Sequence, residues 1–131
     1  MYVETDTLVA LAKDDDWLQD AAVQALDEYD PHTSILAYAE LLVLFYDREQ
    51  GSYEIDIPRA VTNLLELVPV VPRTHEDAVL AAATFIEDEE LTPFDALHAG
   101  LAATRDETLL ASETAYETVG VDHVRLVDER E

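Results

Sequence analysis

The segment Thr92-Pro93-Phe94-Asp95-Ala96-Leu97-His98-Ala99-Gly100-Leu101-Ala102 constrains the fold more than any other. Thr92 is suited to cap a helix and Pro93 to occupy its first turn. Asp95 stands three residues past the cap, where a carboxylate can bond back to free backbone amides. Beyond this start, Ala96, Leu97, Ala99, Leu101, Ala102 and Ala103 leave Asp95 and His98 as the only strongly polar members. A helix apolar nearly all round must be covered on most sides, so other elements have to pack around it. Asp95 at its mouth reads either as the third residue of a capping box, favoured by the helix dipole, or as a metal ligand. The second reading needs other acids at chain positions that converge on the same spot.

With 131 residues the chain is long enough for one domain, 1–131, with a real core. No apolar run is long enough to cross a membrane, and the N-terminus has no basic start with an apolar stretch behind it, so a cytoplasmic protein is expected. There is no cysteine, which excludes disulfides, thiolate metal sites and cysteine nucleophiles, and the four histidines are scattered. Any metal would be held by oxygen. Thirty acids face seven bases, a formal net charge of −23, yet 49% of residues are hydrophobic. That pairing belongs to a folded domain with an acidic surface, since disorder requires low hydrophobicity as well as high charge. Such a surface repels itself and nucleic acid in ordinary cytoplasm, but at molar salt the Debye length is about 3 Å and both effects shrink. The acidity is read as adaptation to a salt-rich cytoplasm.

Taken in order, Tyr2 to Glu4 is a short extended start, and Asp6 follows it ahead of the apolar run Leu8, Val9, Leu11 and Ala12. Asp6 either caps that helix or sits at the carboxyl end of the first strand, where open parallel sheets bind ligands. Asp14-Asp15-Asp16 is a solvated turn before a helix over Trp17 to Tyr29. Asp30-Pro31 breaks the chain, His32 to Ile35 is a second short strand, and Ser34 caps a third helix through about Glu49. From Ile35 to Tyr46 every residue is apolar or aromatic except Glu40, with no base one turn to either side. Glu40 is therefore expected to be buried, unless one side of the helix faces solvent with Val43 and Ala37 beside it, and a buried carboxylate costs several kcal/mol, roughly, unless a cation offsets it. Gly51 to Asp56 is a loop, Pro58 opens a helix, and Val68-Pro69-Val70-Val71-Pro72 is an edge strand at best. Thr74-His75-Glu76-Asp77 is a second capping box, and the helix it opens ends in Glu87-Asp88-Glu89-Glu90. Thr108 to Ala111 and His123 to Val127 are the last strands, and Glu113 repeats the Asp6 pattern of an acid just past a strand end. Strands alternating with helices give an α/β class with a mainly parallel sheet. No glycine-rich phosphate loop is present.

The joint arrangement of Asp6, Glu40, Asp95 and Glu113 resembles the PIN domain, a nuclease fold, and in particular the ribonuclease toxins of VapC type. Met1 to Thr7 is similar to that family's opening strand with its first acid at Asp6. Ser34 to Leu42 resembles the S-x-x-x-x-x-E-L-L helix with the second at Glu40. Pro93 to Ala99 is similar to the D-A-x-x-A-x-x-A segment carrying the third, and Leu109 to Tyr116 resembles the closing L-L-T-x-D-x-x-F stretch, Glu113 standing for its aspartate. Leu8 after Asp6-Thr7, Ala111 in place of a hydroxyl residue and the longer Glu113 depart from the pattern. These departures bear on the second metal position and the rate rather than on the fold.

The resemblance implies a three-layer sandwich, a mainly parallel central sheet of four to five short strands flanked by helices. It implies a metal-dependent endoribonuclease acting on tRNA or rRNA and leaving a 5′-phosphate, with Asp6 and Asp95 as principal ligands and Glu40 and Glu113 as further acids. It also implies a cognate antitoxin and a homodimer. Hard carboxylate oxygens suit Mg²⁺ or Mn²⁺, and one ion, or two about 3.5–4 Å apart, can generate hydroxide for an in-line displacement at phosphorus. His98 is expected to orient a neighbour or pack in the core rather than bind metal, and Lys13 and Arg48 to touch phosphate. Three rivals stand beside this reading. One is a catalytically inactive PIN-like partner in RNA processing. Another is a phosphatase, whose D-x-D-x-T loop would need an aspartate where Glu4 stands. The third is a purely structural acidic domain, which leaves Glu40 unexplained.

Overall fold

In the computed structural model, residues 1–12, 19–50, 55–112 and 114–126 are described, 48–50 by their backbone alone. The acid run Asp14-Asp15-Asp16, Lys13, the start of the loop after Gly51, Glu113 and Val127 lie outside these residues. The described elements are α1 (Thr5–Ala12), α2 (Gln19–Glu28), α3 (Ile35–Gln50), α4 (Ile57–Leu67), α5 (Thr74–Glu89), α6 (Pro93–Thr104), β1 (Leu109–Ala111), a 3-10 helix (Ala115–Thr118) and β2 (His123–Arg125).

The helices follow from local chemistry. Asp56 caps α4 by accepting the Arg59 amide at 3.2 Å, Pro58 occupies its first turn, and Ile57, Val61, Leu64 and Leu65 recur at helical spacing to form its buried face. α5 does not use the expected cap. It starts at Thr74 itself, behind a helical Arg73, and Glu76 serves another purpose: its Oε1 accepts the Val70 amide at 3.1 Å and pairs with Arg73 at 3.2 Å. The helix ends at Glu90, which takes the left-handed conformation (φ 58°) that exhausts a helix without a glycine.

The sheet is smaller than expected. Among the described residues, β1 and β2 form a two-stranded parallel sheet, with Leu109 opposite His123 and Leu110 opposite Val124. The three earlier extended pieces meet only through the isolated parallel bridges Tyr2–His32 and Thr33–Val70. They nevertheless lie side by side. Val3 N–H donates to His32 O at 2.8 Å, Thr33 N–H to Pro69 O at 2.9 Å and Val71 N–H to Thr33 O at 2.8 Å. Among the described residues only two of the four to five strands expected are formed as strands, and the reason is local. α1 takes over at Thr5, two residues past Val3, and Pro31, Pro69 and Pro72 have no N–H to extend a ladder.

The core lies between these pieces and α3 to α6. Tyr38 is wholly buried and its hydroxyl donates to Val68 O at 2.8 Å, fastening α3 to the third extended piece. Burial pushes this hydroxyl above its ordinary range, and the Glu76 carboxylate adds to the effect. Leu8, Leu41, Leu42, Val61 and Val79 are among the other fully buried side chains of this core, each contributing about 1.5–3 kcal/mol of apolar burial. α6 packs on α5 at its glycine: a Cβ on Gly100 would stand 2.5 Å from the carbonyl oxygen of Ala78. α6 is not covered on every side, however, because Phe94 is 60% exposed and His98 faces solvent.

Candidate active site

Asp95 lies in the first turn of α6, half-buried. Thr92 precedes the helix in an extended conformation (φ −69°, ψ 158°), but its side chain does not cap a backbone amide. Its hydroxyl donates to Asp95 Oδ2 at 3.0 Å, and the hydroxyl of Tyr116 donates to Asp95 Oδ1 at 3.3 Å. The expected capping box is therefore turned inside out: Thr92 holds the carboxylate instead of the backbone. Tyr116 is 4% exposed, and its ring meets that of His123 edge-on at 5.6 Å. A buried phenol thus carries β2 and the 3-10 helix to Asp95. A carboxylate oxygen has two lone pairs, so one hydroxyl on each leaves Asp95 able to accept a cation, and the helix N-terminus favours its negative charge. Replacing Tyr116 by phenylalanine is expected to lower the unfolding free energy by about 1–2 kcal/mol through loss of a bond to a charged group. Urea denaturation in molar KCl checks this; an unchanged midpoint would mean the bond is not formed in solution.

Asp6 occupies the first turn of α1 and is exposed. The adjacent Thr5 is buried, and its hydroxyl donates to Ala37 O at 3.4 Å, tying α1 to α3. Glu40 corrects the sequence reading: it is exposed, not buried. Leu36, Glu40 and Leu44 are spaced four apart and share one stripe, and both leucines are also exposed, at 62% and 42%. Leucines on the solvent face made this helix look buried all round, whereas its core side is Ala37, Tyr38, Leu41, Leu42 and Phe45. His98 is exposed as well, so it does not pack in the core. Glu113 and Lys13 lie outside the described residues, as does the side chain of Arg48.

α3, which carries Glu40, packs against both α1 and α6, so the three described acids stand on touching helices. Among the described residues, however, no three of His, Asp and Glu gather closely enough to hold a metal ion. A family model of the PIN domain matches residues 1–121, a span that takes in every described helix, β1 and the Tyr116 turn. The chain belongs to the PIN-domain family. Comparison with curated proteins and with solved structures gave no match. PIN domains have an α/β fold and are generally nucleases, typically metal-dependent and acting on RNA. In this PIN domain the donor chemistry suits a hard divalent cation: carboxylate oxygens, two of them on solvent-exposed heads. Among the described residues no helix is long and apolar enough to cross a membrane.

Sequence reasoning placed Asp95 in the first turn of a helix, where it lies, but missed the parts played by Thr92 and Tyr116. One signal was present. Tyr116 fills the position where the closing pattern has phenylalanine, and a hydroxyl in an apolar slot needs a partner.

Proposed function

We propose that this PIN domain is a metal-dependent endoribonuclease of VapC type, acting on tRNA or rRNA, with Asp6, Glu40, Asp95 and Glu113 as its acidic set. The supporting observation is the anchoring of Asp95 by two hydroxyls, from Thr92 and Tyr116, at a helix N-terminus. A side chain held at both oxygens is pre-oriented, so little ordering remains when a ligand arrives. In this reading Asp6 and Asp95 are the principal holders of Mg²⁺ or Mn²⁺, Glu40 reaches in from its exposed stripe, and Glu113 completes the set. When bound, the ion supplies a hydroxide-generating and charge-stabilising centre for displacement at phosphorus. The acids hold it because like charges brought together cannot all stay ionised without a cation.

A cognate antitoxin over the acidic face, a homodimer and a salt-rich cytoplasm complete this reading. The dispersed arrangement of the described acids favours one alternative, a PIN domain that binds RNA in an assembly without cutting it. Incubation with total tRNA and rRNA in molar KCl separates the two. Cleavage in the presence of Mn²⁺, abolished by a chelator and restored by added Mn²⁺, is the expected result. Binding of Mn²⁺ and RNA without cleavage would put the assembly reading ahead.

A further inference from the structure

One face of α6 is not used by the site just described. Phe94, His98, Leu101 and Arg105 are spaced by four, three and four residues and so fall on one stripe. Phe94 is 60% exposed, and His98 and Arg105 also face solvent. The stripe starts at the residue next to Asp95 and runs into a hollow between the end of α6 and β1, lined by His98, Leu101, Arg105, Glu107, Thr108 and Leu110 among others.

We propose that this stripe and hollow are the track of a single-stranded RNA leading away from Asp95. The proposal rests on the nuclease reading above. A phosphate chain meets acids almost anywhere on a molecule of net charge −23, but positions 96–105, ten in all, hold none, the longest such run in the sequence. Arg105 closes that run and supplies a cation for phosphate; Glu107 is the carboxylate lining the hollow beyond it. The exposed Phe94 ring offers a stacking face to a base, which an unpaired strand can present and a duplex cannot. From Phe94 to Arg105 the helix rises about 16 Å, the length of about five stacked nucleotides. His98, between them, can donate a hydrogen bond to a base whatever its charge.

The test uses a fluorescently labelled single-stranded RNA in molar KCl. Its Kd is read by anisotropy in a non-cutting Asp95→Asn background, and KM is read by cleavage with Asp95 intact. Phe94→Ala is expected to raise both about tenfold, and Phe94→Trp to restore them. Arg105→Glu is expected to weaken binding several-fold, more so as salt is lowered. Leu67→Ala, an exposed apolar change on α4, serves as the control that leaves both unchanged. If the protein with Phe94 intact cuts RNA and Phe94→Ala matches it in Kd and KM, the track is wrong while the nuclease stands. If RNA is bound without being cut and Phe94→Ala loses that binding, the track stands and the nuclease reading falls. If Phe94→Ala loses a protein partner but handles RNA normally, the face is a protein interface and the proposal is overturned.

Discussion

Asp95→Asn is expected to lower RNA cleavage by about 10³-fold while the protein stays folded. Asparagine keeps the shape of the side chain, and its carbonyl oxygen can still accept one of the two hydroxyls that hold Asp95. Its amide nitrogen can donate to the other once that hydroxyl turns to accept. The stability cost is therefore the charge-assisted part of those bonds, about 1 kcal/mol, and circular dichroism in molar KCl should report an intact fold. The lost charge is another matter, because a neutral amide binds a hard divalent cation far more weakly than a carboxylate. Mn²⁺ titration should show weakened binding in parallel with lost cleavage. Equal cutting by wild type and Asp95→Asn would reduce Asp95 to a well-anchored helix mouth.

Gly100→Ala should destabilise the fold by about 1–3 kcal/mol, and Gly100→Val by more. In an exposed helix the change to alanine would help, by roughly 0.5–1 kcal/mol. Here the added methyl carbon would stand 2.5 Å from the Ala78 carbonyl oxygen, with the Ala82 nitrogen 3.3 Å away. These are backbone atoms of α5 and cannot swing aside, so the two helices must separate. The gap this opens runs along Ala82, Ala96 and Ala99, which are fully buried, and shifts the helix that carries Asp95. Urea unfolding would show the loss, and a Gly100→Ala protein as stable as wild type would mean the two helices are not in such close contact.

These two residues show what the sequence made legible. The helix start that carries Asp95 was legible because a Thr-Pro-x-Asp start is local chemistry, as is the Asp56-Pro58 start of α4. Helices α3 to α6 begin and end within a residue or two of their expected limits for the same reason. Whatever depended on pairing across the chain was harder to read. The number of strands depends on ladders between distant segments, and prolines together with early helix starts cut those ladders to single bridges. The second partner of Asp95, Tyr116, is 21 residues away, with only an out-of-pattern tyrosine to announce it. Glu40 misled for a different reason: periodicity tells which residues share a stripe, and it does not tell which stripe the rest of the molecule covers. α3 keeps two leucines outside, and composition carries no sign of that.

Thr33 lies at the centre of the three amino-terminal pieces. It is buried, its hydroxyl donates to Val3 O, and its backbone bonds to Pro69 and Val71. One residue thereby fastens segments that are about thirty and nearly forty positions away along the chain. The bond to Val3 needs only the chain up to Thr33, but those to Pro69 and Val71 cannot form on a ribosome until the chain beyond Val71 has emerged, whereas α3 and α4 need only their own residues. Contacts of such range close late and slowly. The piece around Val70 thus joins the first two only after α3 and α4 exist, so an interrupted nascent chain holds the amino-terminal pair without its third member.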